Sequence, residues 1–184
     1  KKFKLNIIQD SAHVIGARFK KKHLINFSDA CTYSMHPLKN LNVWSDGGLI
    51  VTDELELANE LSLLRNHGLV DRDTVSILGY NSRLDTFQAV VGNWLIPETH
   101  NIANKRIENA SYLDENLSKI KGITIPPRPN GFKIVYHLYI VFAEDRDKLL
   151  ENCIKEGIEA KIHYPLPIYR QKALSYLGYK EGDF

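Results

Sequence analysis

Hydrophobic positions fall along this chain in two rhythms. Short apolar runs that end on a polar side chain alternate with stretches in which apolar residues recur every three or four positions, the pattern of strands alternating with amphipathic helices. KLNIIQD (residues 4–10), DACTYSM (29–35) and GGLIVTD (47–53) read as strands. The first has the character of a buried parallel strand whose carboxyl end carries Asp10 into a crevice, where open α/β sheets place their ligands. ELELANELSLLRNHG (54–68) then puts Leu57, Leu61 and Leu64 on one helical face, with Asp53 as cap and Gly68 as stop. A Ser-x-x-Asp pair, Ser82 to Asp85, is expected to box the start of a helix whose Phe87, Val90, Val91, Trp94 and Leu95 form one apolar stripe until Pro97.

A long amphipathic helix is predicted over residues 98–120. The texture then changes: ITIPPRPNG (123–131) is a turn-rich connection, and FKIVYHLYIVF (132–142) alternates like a strand. A helix follows from Asp145 to about Glu156, closed by Gly157, and IEAKIHY (158–164) reads as a final strand. The fold class is therefore α/β with a mainly parallel sheet, followed by a smaller α+β unit. The expected organisation is 1–97 as a large domain, 98–120 as a connecting helix and 121–184 as a small C-terminal domain.

Composition narrows the function classes. In 184 residues, 43% are hydrophobic, enough for a real core. The 24 basic and 22 acidic side chains are scattered and nearly cancel, so no footprint for nucleic acid stands out. No apolar run approaches the roughly 20 residues that span a bilayer, and LNII is too short for the core of a secretory leader. Cys31 and Cys153 lie far apart and without metal-ligand spacing, which fits a reducing cytoplasm rather than a disulfide scaffold or a metal site. The ends read as cut: the chain enters a strand almost at once and stops in mid-phrase after GDF, as an internal segment of a longer enzyme would.

The polar residues at the ends of the first strands carry the chemistry. Taken singly, Asp10 is a cap or turn former, His13 a structural histidine, Ser34 turn chemistry and DGG a tight turn. Taken together with Lys39 in SMHPLKNLNVWSDGG (34–48), they match the needs of pyridoxal 5'-phosphate. That cofactor requires a lysine amine, an acid to keep the pyridine nitrogen protonated, and donors around the phosphate. Asp10 can be the acid and Ser34 a phosphate donor, while Gly47 and Gly48 permit close backbone approach. His137, Tyr139, His163 and Tyr164 are open between packing and substrate contact, and His67 reads as a helix C-terminal histidine.

At this point a family resemblance enters. QDSAHVIGARFKKK, SDACTYSMHPLKNLNVWSDGGLIVTD, LRNHG and GYNSRLDTFQAVVG, in this order and with these gaps, resemble successive segments of the DegT/DnrJ/StrS sugar aminotransferases. The resemblance continues through VYHLYIVFAEDRDKLLENCIKEGIEAKIHYPLPIY. It implies a segment of a fold-type-I, aspartate-aminotransferase-like large domain plus part of the small domain. Lys39 would then carry the cofactor as a Schiff base and shuttle protons. Asp10 would face the pyridine nitrogen, His13 the cofactor ring and Ser34 the phosphate. Asn81 in GYNSR would reach the neighbouring subunit's phosphate, implying a homodimer with shared active sites. The implied substrates are a nucleotide-linked keto deoxysugar and an amino-acid donor, by analogy glutamate. Ser45 and Asp46 depart from the glycine-rich run common after the lysine. Lys39 itself argues against the subgroup that has histidine there and dehydrates its substrate. Two other classes compete. One is a catalytically silent regulatory or assembly module; the other, a dinucleotide-binding domain, lacks G-x-G-x-x-G after any strand.

Overall fold

In the computed structural model, which describes residues 3–184, the first apolar run forms β1 (Ile8–Asp10). A hairpin of β2 (Arg18–Phe19) and β3 (Lys22–His23) follows, then β4 (Ala30–Ser34) and β5 (Gly48–Val51). The main sheet has the order β1-β4-β5. β1 runs parallel to β4 with Asp10 opposite Thr32, and β4 runs antiparallel to β5 with Ser34 opposite Gly48. The sheet is thus partly rather than mainly parallel. The amide of Ser11 donates to the Thr32 carbonyl at 2.8 Å, prolonging the parallel ladder just past Asp10.

The expectation that β1 is buried does not hold: Ile8 is 75% exposed and Asp10 also lies at the surface. Among the described residues β1 is an edge strand, paired with β4 alone.

Helix α1 (Leu55–Leu64) follows β5. Its cap differs from the expected Asp53: Glu54 is the capping position, and its amide donates to Thr52 Oγ1 at 3.1 Å. Past its end, His67 and Gly68 take left-handed conformations, and the Gly68 amide donates back to the Leu63 carbonyl at 2.8 Å.

The box opening α2 (Thr86–Leu95) lies three residues later than Ser82 to Asp85. Asp85 Oδ1 accepts from the Phe87 amide at 2.8 Å, and Gln88 Oε1 accepts from the Asp85 amide at 3.2 Å. The apolar stripe of α2 is split. Val91 is buried and Leu95 packs against the core, whereas Phe87, Val90 and Trp94 stay exposed. A short 3₁₀ turn at Ile96–Glu98 leads into α3 (Thr99–Leu117), whose Ala103 and Ala110 are buried.

The second half holds β6 (Ile123–Thr124), β7 (Phe132–Lys133), β8 (Phe142–Ala143) and α4 (Arg146–Lys155). β6 pairs with β8, and β7 joins β2 in the sheet order β3-β2-β7, so the second half is hydrogen-bonded to the first.

One predicted strand, 132–142, keeps only its ends, as β7 and the start of β8, and another, 158–164, does not form. Between β7 and β8 the chain leaves extended geometry at Tyr136, whose φ of 47° is left-handed. Residues 158–164 find no ladder partner among the described residues.

The core beneath the lysine loop is Met35, Leu41 and Val43, with Ile15, Leu84 and Leu95 packed against it. It explains Gly47 differently from the close approach of a ligand. A Cβ there would stand 2.9 Å from Val43 Cγ2 and 3.0 Å from Leu84 Cδ1, so the glycine makes room for the core. No helix among the described residues is long and apolar enough to cross a membrane.

Candidate functional site

Lys39 sits on a loop whose two ends are stapled together. The Met35 amide donates to the Gly47 carbonyl at 2.8 Å, and the Val43 amide to the Met35 carbonyl at 3.2 Å. Inside the loop, Asn40 and Leu41 are buried and Lys39 is half-buried, so the backbone is anchored immediately after the amine's attachment point, whereas His36, Pro37 and Leu38 before it are exposed. Ser34 ends β4, and its Oγ accepts from the His36 amide at 3.3 Å. Asp10 ends β1, where Oδ1 accepts from the Ala12 amide at 3.0 Å and fixes the carboxylate against the following turn.

That turn carries His13 into the same neighbourhood. Partial burial lowers the His13 pKa, with the charges of Lys39 and then His163 adding to the effect, while Asp10 opposes it. The charges of both Lys39 and Asp10 are thus felt at the His13 ring. Asn81 is tied instead to the end of α1: it forms an antiparallel bridge with Asn66, and its Oδ1 accepts from Arg83 Nε at 3.1 Å.

Two histidines from the second half complete the cluster. The rings of His13 and His137 have centroids 4.3 Å apart and are tilted by 50°. Burial pushes the His137 pKa down to about 4, helped by His13, Lys39, Arg106 and His163. His137 Nδ1 is buried without a hydrogen-bond partner, as is the hydroxyl of Ser11. No local pattern in YHLY marks His137, because its position depends on bonds to residues distant in sequence.

A groove of about 940 Å³ lies between β5 and α1, lined in part by Arg65, Arg83, Ser62 and Thr52. It includes none of Asp10, His13, Ser34 or Lys39, so the chemistry-bearing cluster is a different place.

A partly parallel α/β sheet with a lysine loop at the carboxyl ends of β1 and β4 defines a class of fold, and comparison with known proteins narrows it to a family. The DegT/DnrJ/EryC1/StrS aminotransferase family profile matches residues 1–184. The pleiotropic regulatory protein of Geobacillus stearothermophilus is 35% identical over 100% of this chain and 50% of its own. The dTDP-3-amino-3,4,6-trideoxy-alpha-D-glucose transaminase of Streptomyces venezuelae is 33% identical over 97% of this chain and 47% of its own. The crystal structure of S. venezuelae DesV superposes with a TM-score of 0.94 at 32% identity, covering 99% of this chain and 49% of that one. The chain belongs to the DegT/DnrJ/EryC1/StrS aminotransferase family. It spans about half the length of the curated relatives it matches.

Proposed function

We propose that the protein carrying this chain is a pyridoxal-phosphate-dependent aminotransferase. It moves an amino group from an amino acid, glutamate by analogy, to the keto group of a nucleotide-linked deoxysugar. The observation that carries this reading is the gathering of Lys39, Asp10 and His13 at one end of the β1–β4 pair in a chain of this family. A silent module of the same fold is the weaker reading, because an amine, a carboxylate and an imidazole brought into one electrostatic neighbourhood make a reactive donor set.

The residues fit the cofactor. Lys39 offers the amine for the aldehyde, Asp10 the carboxylate for the pyridine nitrogen, His13 a ring face and Ser34 a hydroxyl for the phosphate. His137 Nδ1, buried without a partner on the ring beside His13, shows polar capacity left over around this cluster. Pyridoxal phosphate supplies the electron sink that makes the Cα proton of an amino acid removable. Lys39, held on its anchored loop, would take up that proton at Nζ, and Asp10 would offer its carboxylate to the ring nitrogen.

The proposal includes a homodimer. Leu78, Tyr80, Phe87, Val90 and Trp94 are large, exposed and apolar, and they flank Asn81 in sequence. A second copy docking on this face would cover them and bring Asn81 to its neighbour's site. Cys31 and Cys153 are free thiols, in keeping with a cytoplasmic enzyme.

The test is spectroscopic and chemical. The full-length polypeptide, loaded with pyridoxal phosphate, should show a visible absorbance band that glutamate discharges and a nucleotide-linked keto sugar restores. A band that no amino acid discharges would reject the aminotransferase reading. Sedimentation should give a dimer, and a monomer at micromolar concentration would reject the shared site.

A further inference from the structure

We propose that His137 is a positioning residue for this site: carried in from the second half of the chain and clamped by Asn40 and Arg106, its ring braces His13 in the orientation the cofactor ring requires. The inference rests on the preceding reading, in which His13 faces that ring.

Three successive backbone carbonyls, of Val135, Tyr136 and His137, are held by side chains. Residues 134–141 belong to no strand, so their backbone groups need other partners. Asn40 Nδ2 donates to the Val135 carbonyl at 2.9 Å in a buried bond. Arg106 Nη1, from α3, donates to the Tyr136 carbonyl at 3.0 Å and the His137 carbonyl at 3.3 Å. The segment is thus held by the residue next to Lys39 on one side and by α3 on the other. Val135, only 1% exposed, anchors it further.

The clamp holds an unfavourable backbone. Tyr136 is left-handed, a conformation that a bulky aromatic residue rarely adopts, and such residues persist where the surroundings over-determine them. The consequence of that turn is that His137, the next residue, meets the ring of His13 with centroids 4.3 Å apart.

His137 does not owe its place to hydrogen bonding through Nδ1, which is buried without a partner. Nor does a charge hold it, since burial and the neighbouring His13, Lys39, Arg106 and His163 all favour the neutral ring. Its ring against His13, at 4.3 Å and a tilt of 50°, is the contact the local structure preserves. An aromatic ring without nitrogens should therefore replace it, while removal of the ring should free His13 to tilt.

The experiment uses the full-length polypeptide loaded with pyridoxal phosphate and reads the circular dichroism of the visible band together with the dissociation constant of the cofactor. Both report how rigidly the cofactor is held, and the far-ultraviolet spectrum checks folding. His137→Ala should lose more than half of the visible dichroism and bind cofactor on the order of tenfold more weakly, whereas His137→Phe should restore both. Should His137→Ala fail to fold, Arg106→Met, which withdraws the clamp and leaves the ring, should reproduce the loss of dichroism. Unaltered dichroism and affinity in a folded His137→Ala, or in Arg106→Met where that stands in, would overturn the inference. So would His137→Phe as impaired as His137→Ala. If the unsubstituted protein shows no visible band at all, the preceding reading fails and this inference with it. A normal band indifferent to position 137 sinks the inference alone.

Discussion

Asn40 and Val135, 95 residues apart, are joined by a buried hydrogen bond of 2.9 Å from a side-chain amide to a backbone carbonyl. The bond couples the lysine loop to the segment that brings His137 to the site. Asn40→Ala leaves the Val135 carbonyl unpaired in a buried setting, and the expected loss of stability is about 1–2 kcal/mol. Denaturant unfolding measures it. The same variant should hold pyridoxal phosphate less firmly than the unsubstituted protein, which equilibrium dialysis will show.

Asp114 is the hub that fastens the second half onto α3. Arg128 donates to it through Nε at 3.0 Å and Nη2 at 2.9 Å, and Tyr139 Oη through a bond of 2.7 Å. The Arg128 guanidinium also lies over the rings of Tyr136 and Tyr139, at 5.3 and 5.7 Å from their centroids. Hydrogen bonding from Arg128 holds the Asp114 carboxyl below its ordinary range, and burial, followed by the bond to Asp114, raises the Tyr139 hydroxyl to about 12. Asp114→Ala strands a half-buried cation and a phenol together. The expected cost is about 2–3 kcal/mol, and the thermal midpoint should fall accordingly.

Acid should weaken the fold before its carboxylates are protonated. The His137 pKa is about 4 in the folded protein against an ordinary 6.5, and His13 is shifted in the same direction. Between those values the folded state binds fewer protons than the unfolded one, so stability rises with pH across the window. It is fully present above about pH 6.5 and is lost as pH falls toward 4. Denaturation midpoints at pH 7 and pH 5 should differ accordingly, and His137→Phe should narrow the gap. An unchanged gap in that variant would assign the effect to other groups.

Gly68 and Gly79 form the crossing that holds the Asn81 segment against the end of α1. Gly68 has a φ of +73°, and a Cβ on it would overlap the Ile77 carbonyl oxygen. A Cβ on Gly79 would collide with the Gly68 amide nitrogen and stand 2.8 Å from the His67 carbonyl carbon. Gly68→Ala should cost about 3 kcal/mol or more and loosen the segment before α2. Faster amide exchange at Tyr80 and Ser82, which donate to the Leu64 and Arg65 carbonyls, is the measurement.

Much of this fold is readable in the sequence because its elements are locally marked. β1, β4 and β5 are short apolar runs between turns, and α1, α3 and α4 keep a helical period over 10 residues or more. The same local logic failed at FKIVYHLYIVF and IEAKIHY. Alternation describes a strand only if a partner is there to pair with it, and neither the left-handed Tyr136 nor the missing ladder partner is written locally. It failed again on α2, whose stripe looks like core but is half exposed. Among the candidate site residues, Asp10 at the end of β1, and His13 and Lys39 in the turns beyond β1 and β4, are marked by their local setting. His137 is not, since the bonds that place it come from Asn40 and Arg106, 95 and 31 residues from the carbonyls they hold.

The central claim is that the amine of Lys39 is the attachment point of the cofactor. Borohydride reduction of the full-length protein loaded with pyridoxal phosphate, followed by peptide mapping, tests it most directly. The reduced cofactor should be recovered on the peptide containing Lys39, and Lys39→Ala should carry none. Recovery of the label on another lysine, or of no label on a protein that retains its visible band, would contradict the account.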